Sequence, residues 1–192
     1  MYYGVPSGHN LAAAMTWLLL IYTVPSEPSR KRAAVWRELK RAGAVYLRDG
    51  VCALPERDET VHRFRAVADM VEEFGGRATI VAGARLDPCR AEEIVAESIE
   101  SRQEEYRENG REAERFLTHI AREHEHRVFT ETELARWEAD LGKLRRWHEQ
   151  VTARDYFGAE DAEAANDTLA RCDEAVAVAL DDAYRRAPEG RR

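Results

Sequence analysis

The chain has 192 residues, of which 44% are hydrophobic and 34% charged, with a formal net charge of −7. This accommodates one ordinary domain, or a small domain with a substantial helical appendage, and excludes a disordered or fibrous chain. The three cysteines, Cys52, Cys89 and Cys172, lie far apart with no C-x-x-C pair, which excludes a disulfide framework or zinc ribbon and fits a reducing cytoplasm.

Leu11 to Tyr22 is nearly all apolar, but these twelve residues fall short of the roughly 20 that a spanning helix needs. No Lys or Arg precedes them and no small-residue cleavage site follows, so neither a membrane span nor an export signal is expected. Residues 1–15 read as an extension ahead of the fold.

Trp17 to Val24 is a continuous apolar run of strand length bounded by Pro25 and Pro28, as suits a central strand covered on both faces. Ser29 is the expected N-cap of the next helix, which places Val35, Trp36 and Leu39 inward with Ala33 as a small packing residue and ends at Gly43. Ala44 to Leu47 and Val51 to Leu54 read as two strands joined through Arg48, Asp49 and Gly50, and Asp-Gly favours a hairpin turn. A helix over 59–74 follows, with Val61, Phe64, Val67, Ala68 and Val71 at helical spacing and Gly75-Gly76 at its end. The segment ATIVAGA over 78–84 gives the last strand.

That order, β-α-β-β-α-β, predicts an α+β fold, a ferredoxin-like domain over 16–86. Residues 87–187 read as an α-helical bundle extension and 188–192 as a tail. Asp87 caps a helix that begins at Pro88 and runs toward His124, with Val95, Ile99, Tyr106, Phe116 and Ile120 on its inner side. Thr130 and Glu133 form a capping box for a second helix with a heptad-like seam of Leu134, Trp137, Leu141, Leu144, His148 and Val151. A third helix over 161–185 carries Leu169, Cys172, Val176 and Leu180. Three amphipathic helices in a row predict an antiparallel bundle, and a homodimer is expected.

Charge is uneven along this order. Between Arg30 and Arg57 stand eight basic residues and three acids, so the remainder of the chain is strongly acidic. The candidate binding residues are Arg30, Lys31, Arg32, Arg37, Lys40 and Arg41 on the first helix, with Arg48 in the hairpin. Arg30, Arg37 and Arg41 fall along one helix face, where arginines can straddle phosphates with a steep salt dependence and no reading of base sequence. A solvated face whose side chains cover Trp36 is the other reading of the same row.

Catalytic and metal signatures are weak. His119, His124, His126 and His148 are not in helical ligand pairs three or four apart as zinc sites favour, with His124 and His126 separated by two. Gly75-Gly76 and Gly83 extend to no G-x-G-x-x-G or P-loop, no G-x-S-x-G occurs, and no cysteine sits in a nucleophile motif. No enzyme activity, cofactor or metal is expected.

The blocks WLLLIYTVP, WRELKRAGAVYLRDGVCALP, LRRWHEQV at 144–151 and ARDYFGA at 153–159 together resemble the N-terminal domain of ChrB, a bacterial family linked to chromate resistance and its transcriptional control. The resemblance implies a cytoplasmic, DNA-binding regulator with chromate as a possible anionic effector. Full-length members continue into a C-terminal module not found in these residues, so a second expectation is an interaction module whose helical bundle, through Leu141 and Leu144, docks a separate partner of that type while the arginines serve only as surface. Within ARDYFGA, Arg154 and Asp155 read equally as an ion pair pinning the loop or as a ligand site.

The strand-then-basic-helix pattern is also similar to the small CRISPR-associated nuclease-like ferredoxin domains and the middle domain of the PaaX repressors. Active members of the nuclease group carry an aspartate at the end of the first strand. Here that place reads Tyr22, Thr23, Val24, Pro25, which argues against a metal-dependent nuclease, since hard cations need charged oxygen ligands.

Overall fold

A computed structural model describes residues 14–124 and 130–186, apart from the side chains of His124, Tyr184 and Arg186. Most of the expected N-terminal extension, His126, the side chain of His124 and the C-terminal tail therefore lie outside the described residues. The described chain forms two compact units: one runs to Ile99 and takes in Arg154–Phe157, and the other comprises Glu100–Ala153 and the residues from Gly158 onward. No helix is long and apolar enough to cross a membrane among the described residues.

The first unit contains β1 (Trp17–Thr23), α1 (Ser29–Ala42), β2 (Val45–Arg48), β3 (Val51–Pro55), α2 (Asp58–Glu73) and β4 (Arg77–Ala84), followed by the start of α3 (Pro88–His124). The four strands form one sheet in the order β2-β3-β1-β4 with every neighbour antiparallel. This is the ferredoxin-like arrangement expected from the element order: each helix crosses over one intervening strand.

Period-two alternation sends Leu18 and Leu20 of β1 toward the helices, where they are fully buried with Val35, Leu39, Phe64 and Val71. Burial of a side chain such as Phe64 contributes about 2–3 kcal/mol. The alternate residues Trp17 and Leu19 turn to the other face, which Ala91 and Ile94 at the start of α3 cover in part. Coverage stops short of the end of β1, where Ile21 is 45% exposed. Under the helices the Tyr22 and Tyr46 hydroxyls lie 3.4 Å apart, one donating to the other, and burial raises the pKa of both. Beside them burial pushes the Cys52 thiol up to about 12.

Local chemistry sets the element ends, with two departures from expectation. The N-cap of α1 is Pro28, extended at φ −76° and ψ 145°, and no side chain caps the helix; Ser29 is instead its first residue, because the proline's fixed φ suits the residue that precedes the turn. The two-residue turn Asp49-Gly50 leaves Arg48 in the strand. Gly50 there has φ +73°, and a Cβ would stand 2.5 Å from the Tyr22 carbonyl oxygen, so only glycine fits. At the end of α1, Gly43 N–H donates to the Lys40 carbonyl and Ala44 N–H to that of Leu39, each at 3.0 Å, a Schellman closure. The buried Thr60 hydroxyl opens α2: it donates to the Pro55 carbonyl at 2.6 Å and accepts from Arg57 N–H at 3.0 Å.

The second unit is built from the remainder of α3, α4 (Glu131–Thr152) and α5 (Asp161–Arg186). The expected caps are present: Asp87 Oδ1 accepts from Cys89 N–H at 3.1 Å, and Thr130 and Glu133 make a reciprocal capping box. Its cores join Ala113, Ile120, Trp137, Leu141, Leu169, Cys172 and Val176, and separately Tyr106, Val151 and Ala165. Links from Tyr106 to Thr152, Asn109 to Leu144 and His119 to Trp137 run in opposite directions along α3 and α4, so these two helices are antiparallel. Asn109 is fully buried; its amide donates to the Leu144 carbonyl at 3.2 Å while its Oδ1 has no hydrogen-bond partner among the described residues. His148 lies 5.5 Å from the Tyr106 ring, and burial lowers its pKa.

Candidate nucleic-acid interface

The inward stripe of α1 is Val35, Leu39 and Ala42, spaced four and three apart as a sheet-facing helix requires. Trp36 is about 100° round the helix from Val35 and, contrary to the inward expectation, is 49% exposed. Ala33 is exposed as well. The solvent side carries two rows. Arg30, Arg37 and Arg41 form one, running about 16 Å along the axis. Arg32, Trp36 and Lys40 form the other, with Lys40 Nζ 4.7 Å from the centre of the Trp36 ring.

The seven candidate side chains differ in how they are engaged. Lys31 lies nearest the core and is a structural tie: its Nζ donates to the Phe74 carbonyl at 3.0 Å and stands 5.5 Å over the Phe74 ring, fastening α1 to the end of α2. Arg41 pairs with Glu38 at 2.5 Å, and Lys40 is placed on Trp36. Arg30, Arg32, Arg37 and Arg48 are exposed, with no hydrogen-bond or ion-pair partner among the described residues.

Electrostatics at the start of α1 favour an anion. The first turn holds no acid and no side chain caps it, yet Arg30, Lys31 and Arg32 sit there. Cations at the positive end of a helix dipole are each disfavoured by about 0.3–1 kcal/mol at low salt, a cost that a bound anion removes. Arg48 is brought to the same end of the sandwich, because Tyr22 N–H donates to the Gly50 carbonyl at the hairpin tip. Arg77, opposite Thr23 in the register, stands at this end too and was not legible as part of the basic group. Glu27 and Asp49 share this end, so the flank of α1 along Arg30 and Arg37 is the stretch of least acidic competition.

Residues distant in sequence hold the other end of α1. Tyr156 Oη donates to the Ala42 carbonyl at 2.7 Å, Arg154 Nη1 to the Lys40 carbonyl at 3.3 Å, and Arg57 Nη2 to the Tyr156 carbonyl at 2.7 Å. Arg154 therefore serves the helix end, a role neither sequence reading assigned to it. Arg63 of α2 adds a donor to the Arg41 carbonyl at 3.2 Å. Between α1 and α2 a groove of about 190 Å³ has Arg41 and Arg63 at its rim and Ala42, Ala66, Val67 and Met70 on its floor, too apolar a floor to cradle a phosphate. Among the described residues no three His, Cys, Asp or Glu side chains are grouped to hold a metal.

A family model described as Protein ChrB, N-terminal, matches residues 32–189, beginning within the basic helix. No curated protein and no solved structure matches the chain.

Proposed function

The chain belongs to the ChrB N-terminal family, and from that premise we propose that it is a cytoplasmic, non-enzymatic regulator of chromate resistance that grips duplex DNA with α1. One observation carries the reading: Arg30, Arg32 and Arg37 are exposed and without acidic partners among the described residues, on a helix whose N-terminus lacks acids and a side-chain cap. Arginines so placed neutralise phosphates and release counterions, which supplies affinity without base readout. Operator choice then rests on paired half-sites in a homodimer and on the shape of the duplex. Chromate is a dianion, and an effector of that kind competes for arginines and helix N-terminal amides. Absence of a carboxylate from Tyr22 to Pro25 supports the non-enzymatic reading.

The test is an anisotropy titration with duplex from upstream of the chain's own gene beside a scrambled duplex, with and without chromate. Tighter binding to the upstream duplex that chromate weakens is expected; equal binding to both duplexes overturns the regulator.

A second reading has its own support in Trp36. An exposed tryptophan with a lysine over its ring is of the residue type that anchors protein interfaces, and a separate ChrB C-terminal-type protein would be its partner. In that case Trp36→Ala abolishes capture of such a partner while Arg37→Ala leaves it intact.

A further inference from the structure

We propose that the outer edge of β4 is a self-pairing surface, on which a second copy of this chain docks antiparallel about a two-fold axis at Ile80 and joins two four-stranded sheets into one. The proposal does not depend on DNA binding by α1.

Strand order places β4 at the sheet edge with β1 as its neighbour. Tyr22 N–H points toward the β3 side, donating to Gly50. Backbone groups alternate in direction along an antiparallel strand, so Ile21 and Thr23 turn theirs to β4, and their partners Thr79 and Arg77 turn theirs back. The N–H and C=O groups of Ala78 and Ile80 are thereby left facing outward, and among the described residues no strand takes them up. Unmet groups of this kind are a template for another strand.

The other edge of the sheet is managed differently. β2 has only four residues, and its register shift after Tyr46 leaves no regular run for a partner, which blunts an edge, whereas the register shift of β4 falls after Val81 and leaves Arg77–Val81 regular. β4 has eight residues and no charge between Arg77 and Arg85. Beside it on the open face lie Ile21 and Val81, two of the large hydrophobic side chains that remain exposed.

Pairing about Ile80 suits two copies of this same strand. Thr79 falls opposite the second copy's Val81, and Val81 opposite its Thr79, so the exposed apolar residues of both copies become continuous. Arg77 lies toward the end of the second copy's β4, past its register shift, where Gly83 N–H donates to Glu56 Oε2 at 2.9 Å, so a cation of one copy is brought to the end of the strand that holds the other copy's carboxylate. The two-fold operation closes the assembly at a dimer, where a head-to-tail contact would continue into a fibre.

Light scattering and sedimentation of the full chain test this. The native chain is expected to run at twice its chain mass. Thr79→Lys with Val81→Lys opposes lysines across the axis and should raise the dimer dissociation constant about 100-fold, with an unchanged circular dichroism spectrum. Thr79→Lys with Val81→Glu places opposite charges across the same axis and should restore the dimer. A native chain that stays monomeric overturns the proposal, as does a double-lysine variant that remains dimeric or a charge-swapped variant that remains monomeric.

Discussion

The Tyr156 hydroxyl donates to the carbonyl of Ala42 at 2.7 Å, across 114 positions of chain. Ala42 is the last residue of the basic helix, and the closing carbonyls of any helix lack partners within it. Both Tyr156 and Ala42 are buried, so water is a poor substitute for the bond. Tyr156→Phe should therefore lower the unfolding free energy by about 1–2 kcal/mol, seen as a lower urea midpoint at an unchanged m-value. A midpoint equal to that of the native chain would contradict this account of how the helix is held.

Lys31 and Arg37 should separate fold from binding. Lys31→Ala removes the tie to the Phe74 carbonyl and should cost about 1 kcal/mol of stability while leaving the salt dependence of DNA binding nearly unchanged. Arg37→Ala touches nothing in the fold and should reduce the magnitude of the slope of log K against log salt by about 1 for each bound chain, about 2 for the homodimer. The reverse pattern would show that the binding face had been placed on the wrong side of α1.

The thiols should differ in reactivity. Burial holds Cys52 up at about 12 and Cys172 at about 11, whereas Cys89 is exposed. The thiolate is the nucleophile, so at about pH 8 iodoacetamide should label Cys89 alone in the native chain. Cys52 and Cys172 should react after denaturation. Labelling of Cys52 at a rate matching that of Cys89 would mean that the layer between helices and sheet is open.

His148 should make stability depend on pH. Burial lowers its pKa in the folded chain, opposed in part by the Glu149 charge. Unfolded histidine titrates near about 6.5, so below that value the unfolded chain takes up a proton that the folded chain resists. The contribution of neutral His148 is fully present above the unfolded pKa and is lost as pH falls through it toward the folded value. His148→Phe, which keeps a ring against Tyr106, should show a smaller fall in melting temperature between about pH 7 and pH 5. An equal fall in both proteins would exclude His148 as the source.

Much of this fold was legible because its signals are local. A continuous apolar run bounded by prolines marked β1, Asp49-Gly50 marked the hairpin, and Thr130 with Glu133 marked the start of α4. What was not legible depends on contacts distant in sequence. Trp36 was drawn inward by its size, but Val35, Leu39 and Ala42 already complete the stripe that meets the sheet. Lys31 looked like its neighbours Arg30 and Arg32 and is set apart by a carbonyl 43 positions later. The return of Arg154–Phe157 to the first unit has no local signature at all, since a Tyr hydroxyl near the end of a loop predicts no particular acceptor. Asn109 likewise sits in a strongly charged stretch, and its burial follows from the packing of three helices.

The central claim is that α1 binds duplex phosphates, and a salt series of anisotropy titrations on the native chain tests it most directly. With Arg30, Arg32 and Arg37 of each chain in the homodimer neutralising one phosphate apiece, log K should fall linearly with log salt at a slope of about −5. No change in anisotropy at any protein concentration, even at about 20 mM salt where phosphate contacts are strongest, would contradict it.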